Sequence, residues 1–264
     1  MDQQKVEFKS GDACIAAPFT NKFSNSLKCV QTIIRQGICT LSTTIQTYRI
    51  LTLQSFVLAY TMGTLHLENL KTSDIQNTCM GMFGAYYFFQ LTSSKPLKRL
   101  PKIKPEPSIF NVIFWMSVLG QAVILLIGNH YALYYSRLWS FEDDLKVTNE
   151  QEYKATFRNS MMFLYELNAM FCISIFNHEG QPFMQSLTSK KGHMKFILAP
   201  LFIILCLTMD CSDDLNYFFE IKLESTNPNA HFTFAGLFIL MTTSCYLWTR
   251  FMKWLRFKST YGWL

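Results

Sequence analysis

Between Ser24 and Leu67 the apolar positions change their pattern. Leu27, Val30, Ile34, Ile38, Leu41, Ile45 and Tyr48 follow steps of three and four, which place them on one stripe of a helix. Lys28, Gln31, Arg35 and Gln36 fall mostly off that stripe. From Ile50 the polar side thins, and Leu51, Leu53, Phe56, Val57, Leu58, Ala59, Tyr60, Met62, Leu65 and Leu67 cover nearly the whole cylinder. That is what a lipid-embedded helix requires. One continuous helix here would be roughly 65 Å long at about 1.5 Å per residue, whereas a bilayer core takes up only about 30 Å. The first half is therefore expected to stand in water as a stalk. Gly37 and Gly63 are its weak points, each costing up to about 1 kcal/mol. An amphipathic connector followed by a separate span is the plainer alternative.

Five further apolar stretches follow, at about 74–91, 110–135, 158–176, 194–209 and 232–248. The second is short and polar at its start, and Pro200 is expected to kink the fifth. The fold class expected is all-α: a polytopic transmembrane helix bundle of six spans, with a long cytosolic stalk helix leading into the first. Residues 1–21 form a polar lead, 22–48 the stalk, 49–258 the transmembrane domain and 259–264 a cytosolic tail. The loop at 92–108 holds Lys95, Lys98, Arg99, Lys102 and Lys104 with Pro96, Pro101, Pro105 and Pro107. Four prolines favour an extended strap over a helix.

Composition agrees. Half of the residues are hydrophobic and 16% are charged, against about 25% in an average soluble domain. No apolar leader opens the chain, so no cleaved signal peptide is expected. With the N-terminus in the cytosol, about three quarters of the Lys and Arg residues fall on the cytosolic side, as the positive-inside rule demands. Both termini are then cytosolic. The two acidic loops, at 136–157 and 210–231, become lumenal and read as solvated straps. The basic residues Arg250, Lys253, Arg256 and Lys258, interleaved with aromatics, read as a tail resting on anionic lipid. The eight cysteines are scattered and form no zinc or redox motif, so no disulfide framework is expected. The histidines are isolated, and no metal site is expected.

No glycine-rich phosphate loop, Gly-x-Ser-x-Gly elbow or His-Glu-x-x-His is present, so no catalytic residue is assigned. Polar residues at membrane depth are the remaining chemistry, because lipid makes them costly. Glu166 and Asn168 lie mid-span in the fourth helix, Gln54 lies in the first, and Gln76 and Asn77 open the second. These five are candidates for the lining of a substrate cavity; interhelical hydrogen bonding is the alternative for each. The second span has no acid in its middle, which argues against a cage of carboxylates for a cation. Arg49 is expected only to snorkel to the cytosolic interface. Nothing points to nucleic acid.

Four strings carry a resemblance. Gly11-Asp12-Ala13-Cys14-Ile15-Ala16-Ala17-Pro18-Phe19-Thr20 resembles the junction between the phosphorylation domain and the fifth membrane helix of a type V P-type ATPase. Ile34-Arg35-Gln36-Gly37-Ile38-Cys39-Thr40-Leu41 resembles the stalk that follows. Ser94-Lys95-Pro96-Leu97-Lys98, with Pro107-Ser108-Ile109-Phe110-Asn111, resembles the loop between helices six and seven. Asn177-His178-Glu179-Gly180-Gln181-Pro182-Phe183-Met184-Gln185-Ser186-Leu187 resembles the loop between helices eight and nine. The match runs in order over most of the chain and points to subclass A, the endoplasmic-reticulum dislocases of transmembrane helices.

The resemblance implies that residues 1–21 are a remnant of the phosphorylation-domain junction and that the six spans are helices five to ten. It implies ATP and Mg²⁺ for the full-length member, a multi-pass place in the endoplasmic-reticulum membrane, and client transmembrane segments as partners beside the lipid bilayer. The chain lacks the Asp-Lys-Thr-Gly-Thr, the Thr-Gly-Glu and the Gly-Asp-Gly of the family, and it lacks helices one to four. It is expected to be a C-terminal fragment or a truncated relative, inactive without the missing N-terminal catalytic domains. The rival expectations are a fragment of a cation-transporting P-type ATPase and a non-enzymatic membrane scaffold.

Overall fold

The computed structural model describes residues 28–99, 105, 108–141, 153–185 and 191–261. The junction string at Gly11–Thr20, the start of the stalk, part of the proline strap and most of the first acidic loop lie outside the described residues. So do Ser186 and Leu187 and the last three residues of the tail. The described part is helical: α1 Lys28–Leu67, α2 Asp74–Thr92, α3 Val112–Leu138, α4 Phe157–Phe176, α5 Lys191–Thr208, α6 Asp213–Phe218 and α7 Ala230–Tyr261. Among the described residues, α1, α3, α4 and α7 are long and apolar enough to cross a membrane. The other two long helices have 19 residues in α2 and 18 in α5, within the roughly 17–25 that a crossing takes.

α1 runs without interruption for 40 residues through both Gly37 and Gly63. α7 also outruns its expected span: no glycine or proline follows Trp248 until Gly262, so the basic stretch at 250–258 continues the helix instead of forming a separate tail.

The centre is α4. It touches each of the other five long helices and is buried nearly all round. Its start is fixed by Thr156, whose hydroxyl accepts from Asn159 N while Asn159 Oδ1 accepts from Thr156 N at 2.9 Å, a capping arrangement of the kind that satisfies two orphan donors at once. Its polar residues Arg158, Asn159, Ser160, Glu166, Asn168 and Ser174 therefore face protein and not lipid.

α3 packs closely because two glycines admit aromatic rings. A Cβ on Gly128 would lie 2.6 Å from Tyr165 Oη, and one on Gly120 would lie 2.0 Å from the Trp248 ring. Tyr165 Oη donates to Leu125 O at 2.5 Å, and Trp248 Nε1 donates to Ser117 O at 3.1 Å. Gly120→Ala is expected to push the indole out of this seat and to destabilise the bundle by about 1–3 kcal/mol, the usual range for overpacking. Chemical unfolding in detergent, followed by tryptophan fluorescence, measures it; an unchanged midpoint would show that α3 and α7 are not locked there.

The segment after α5 is not a free strap. Phe219, Ile221 and Leu223 are buried: a turn with Glu220 at φ 52° closes α6, and Ile221 and Leu223 follow it onto the bundle. Tyr153 Oη donates to Glu220 O at 2.8 Å, and Lys222 N donates to Ser160 Oγ at 2.9 Å.

Candidate functional site: a cleft within the bundle and two ionic clusters

A cleft of about 330 Å³ lies between α1, α2 and α4. It contains Gln54 from α1, Asn77 from α2 and Glu166 from α4 among apolar residues that include Met62, Met80 and Met170. Of its lining residues, Leu58, Asn77 and Gly81 are exposed, so the cleft opens sideways between α1 and α2. Glu166 is buried at its floor. Gln54 Nε2 is buried without a hydrogen-bond partner among the described residues. Such a donor in an apolar wall is unsatisfied until something supplies an acceptor.

Three of the five candidates thus meet in one cleft. The other two lie apart from it. Gln76 closes the cap of α2: its Oε1 accepts from Ser73 N at 3.3 Å, and its Nε2 donates to Phe219 O at 2.9 Å. Asn168 is buried in α4, and its Nδ2 has no partner among the described residues.

The end of the bundle where α4 runs into its loop holds a cluster that the sequence did not reveal. Glu179, in the loop after α4, accepts from Ser42 Oγ of α1 at 3.2 Å and from Arg256 Nη1 of α7 at 2.8 Å. Arg49 Nη1 of α1 stands 3.7 Å from the same carboxylate, and its guanidinium lies over the Phe114 ring of α3 at 5.1 Å. Lys253 Nζ donates to Phe176 O and His178 O. Burial pushes the Glu179 carboxyl up, but the Arg256 and Arg49 guanidiniums, with the hydrogen bonds from Arg256 and Ser42, hold it below its ordinary 4.5.

Arg49 is therefore buried, not snorkelling. A signal for this was present: Ser42, Gln46 and Arg49 follow steps of four and three, a polar stripe on one face of α1. That face, with Cys39 and Ile45, is the buried one, while Ile34, Leu41 and Tyr48 of the apolar stripe are exposed. Polar loops pack on this half of α1, so its hydrogen-bonding face turns inward. Gln46 Nε2 and His178 Nδ1 are 3.0 Å apart, Arg35 Nη1 donates to Lys98 O at 2.7 Å, and Cys39 Sγ lies 3.7 Å from Ser94 O. The loops after α2 and α4 also join each other, Gln185 N donating to Lys95 O at 3.1 Å. Together they form a collar around the middle of α1.

A second cluster closes the far end. Glu68, just past α1, binds Arg137 at the end of α3 and Arg158 at the start of α4. Arg158 is buried and Arg137 is half exposed. Among the described residues no trio of His, Cys, Asp or Glu stands close enough to hold a metal ion.

No family model matches the chain. It is similar to the endoplasmic reticulum transmembrane helix translocase of Schizosaccharomyces pombe, 33% identical over 85% of this chain and 19% of that protein. It is 30% identical to the endoplasmic reticulum transmembrane helix translocase spfA of Aspergillus fumigatus, over 96% of this chain and 19% of that one. A probable manganese-transporting ATPase, PDR2, of Arabidopsis thaliana is 28% identical over 93% of this chain and 20% of its own length. The chain spans about a fifth of the length of these relatives.

Proposed function

The chain belongs with the endoplasmic reticulum transmembrane helix translocases, P-type ATPases of type V, and on that footing we propose that it is a membrane portion that receives transmembrane segments of client proteins. The observation that carries this reading is the cleft: apolar, open sideways, and polar at Gln54, Asn77 and Glu166. A whole helix, about 10 Å across and 30 Å long, needs well over 2,000 Å³. The cleft at about 330 Å³ takes a few side chains, with the remainder of the client lying along the open side. Polar groups in the client would satisfy Gln54 and Glu166, which pure lipid does not. Gln76 serves the site by fixing the start of α2, and Asn168 by its place in α4.

The two ionic clusters support the depth assigned to the cleft. From Arg49 to Glu68 α1 rises about 28 Å, and α4 with its loop covers a similar distance from Arg158 to Glu179, close to the roughly 30 Å of a hydrocarbon core. Residues up to Tyr48 then form the cytosolic stalk, both termini are cytosolic by the positive-inside rule, and the membrane is that of the endoplasmic reticulum. Force made elsewhere in the whole protein would enter along α1.

P-type ATPases use ATP and Mg²⁺. In the whole protein both would act in the catalytic domains. The name of the Arabidopsis relative favours a second reading, transport of a divalent cation. Mn²⁺ takes several oxygen ligands, and one carboxylate does not supply them.

A photocrosslinking amino acid at Met80, in the cleft, is expected to capture polypeptide in endoplasmic-reticulum membranes, whereas the same group at Phe202, exposed on α5, captures lipid. Equal capture at both positions would remove the cleft as a client site. Loss of Met80 capture on adding Mn²⁺ alone would support the cation reading instead.

A further inference from the structure

α5 ends in a turn that brings two cysteines together. Asp210 has a left-handed backbone, φ 55°. Cys211 N donates to Cys206 O at 3.0 Å, and Asp210 N donates to Leu207 O at 3.4 Å. These are the two bonds of a Schellman motif, in which the side chains at the two ends of the longer bond meet. Here both are cysteines, so the turn brings their side chains to the same side. Five residues apart on a continuing helix they would point about 140° away from one another. The left-handed turn is what reverses this, which is why the bare spacing carried no meaning.

We propose that Cys206 and Cys211 are a modification site: a disulfide that staples the end of α5. The 3.0 Å backbone bond keeps the two Cα atoms inside the roughly 4.4–6.8 Å that a disulfide spans. Cys211 is exposed and Cys206 half-buried, so an oxidant reaches Cys211 first. Its thiolate attacks one sulfur of a small disulfide such as oxidised glutathione and expels one thiolate. The Cys206 thiolate then attacks the Cys211 sulfur of the mixed disulfide and expels the second. The chain loses two electrons and two protons; the small disulfide gains the electrons, and the protons go to water. The step needs an oxidising compartment, so it rests on the orientation proposed above, which puts the end of α5 in the lumen. The staple fixes the root of the segment at 210–229, whose Phe219 and Glu220 carbonyls accept from Gln76 and Tyr153.

The test uses the full chain in sealed endoplasmic-reticulum vesicles. Thiols are trapped with acid, the chain is unfolded, and a maleimide–polyethylene glycol reagent counts those that are free with and without prior reduction. Two more adducts are expected after reduction, and Cys206→Ser and Cys211→Ser are each expected to abolish that difference. A membrane-impermeant maleimide, applied to reduced vesicles, is expected to miss Cys211 until detergent is added. Equal adduct counts with Cys211 shielded would overturn the disulfide and leave the orientation standing. Equal counts with Cys211 labelled in sealed vesicles would overturn the orientation, and the disulfide with it.

Discussion

Glu179→Ala is expected to destabilise the bundle by about 3–5 kcal/mol, the range for breaking a buried ion pair by removing one partner. Its carboxylate is only 12% exposed. Without it, Arg49 keeps a positive charge at 6% exposure over the Phe114 ring. Ser42 loses its acceptor, and Arg256 of α7 loses its hydrogen bond to the loop. Glu179→Gln keeps an oxygen for Ser42 and is expected to cost less. The sign with pH follows from the lowered carboxyl: the contribution is full above the ordinary carboxylate value and disappears as pH falls through the lower, folded-state one. The bundle should therefore be stable across neutral pH and lose this part only in acid, while Glu179→Ala removes it at every pH. Chemical unfolding in detergent at pH 7 and in acid measures both. A Glu179→Ala loss below about 1 kcal/mol, the level of an exposed pair, would mean that water reaches the cluster and that the collar does not grip α1.

The hydrophobic pattern made the six long helices legible, since period and length are local properties of a chain. What depends on the neighbour was not legible. The first half of α1 shows this best: the sequence marks an apolar stripe there, but α1 turns Cys39, Ser42, Gln46 and Arg49 toward the collar, because loop carbonyls and a carboxylate favour donors over Leu41 or Tyr48. Arg250 to Lys258 looked like a lipid-bound tail because charge pattern alone does not say whether a helix stops. Phe219, Ile221 and Leu223 show alternation in the sequence, but the acidic residues around them masked it. In the cleft, polarity at depth singled out Gln54, Asn77 and Glu166, and the same criterion singled out Gln76, whose buried amide fastens a helix start. Polarity marks where a partner is needed; only the fold says which partner. Two of the strings that carried the family resemblance, Ser94–Lys98 and Asn177–Gln185, meet at the collar. The second of them reaches the cleft lining, where Asn177 Nδ2 donates to Ile173 O at 3.0 Å.

Glu68→Ala is the matching change at the other end, and it is expected to cost about 3–5 kcal/mol through Arg158, which is buried and would be left charged. The Arg137 arm adds under about 1 kcal/mol, because Arg137 is half exposed and water screens it. Arg137→Ala alone should therefore be nearly silent. Replacing both buried partners, as in Glu68→Leu with Arg158→Met, should recover most of the loss, since no charge is then stranded. Equilibrium unfolding of the wild type, Glu68→Leu, Arg158→Met and the double variant in one detergent reads this as a double-mutant cycle. Equal losses for Arg137→Ala and Glu68→Ala would show that the exposed arm carries the energy and that the cluster is not buried. The pair of ends also separates stability from transmission. Glu68 ties α1 to α3 and α4 beyond the cleft, whereas Glu179 ties it at Ser42 and Arg49. If force travels along α1, both alanine variants weaken the bundle, but only Glu179→Ala frees the middle of α1 from its collar. Protease cleavage within 177–185 should then rise for Glu179→Ala at a denaturant level where Glu68→Ala is equally destabilised and still protected.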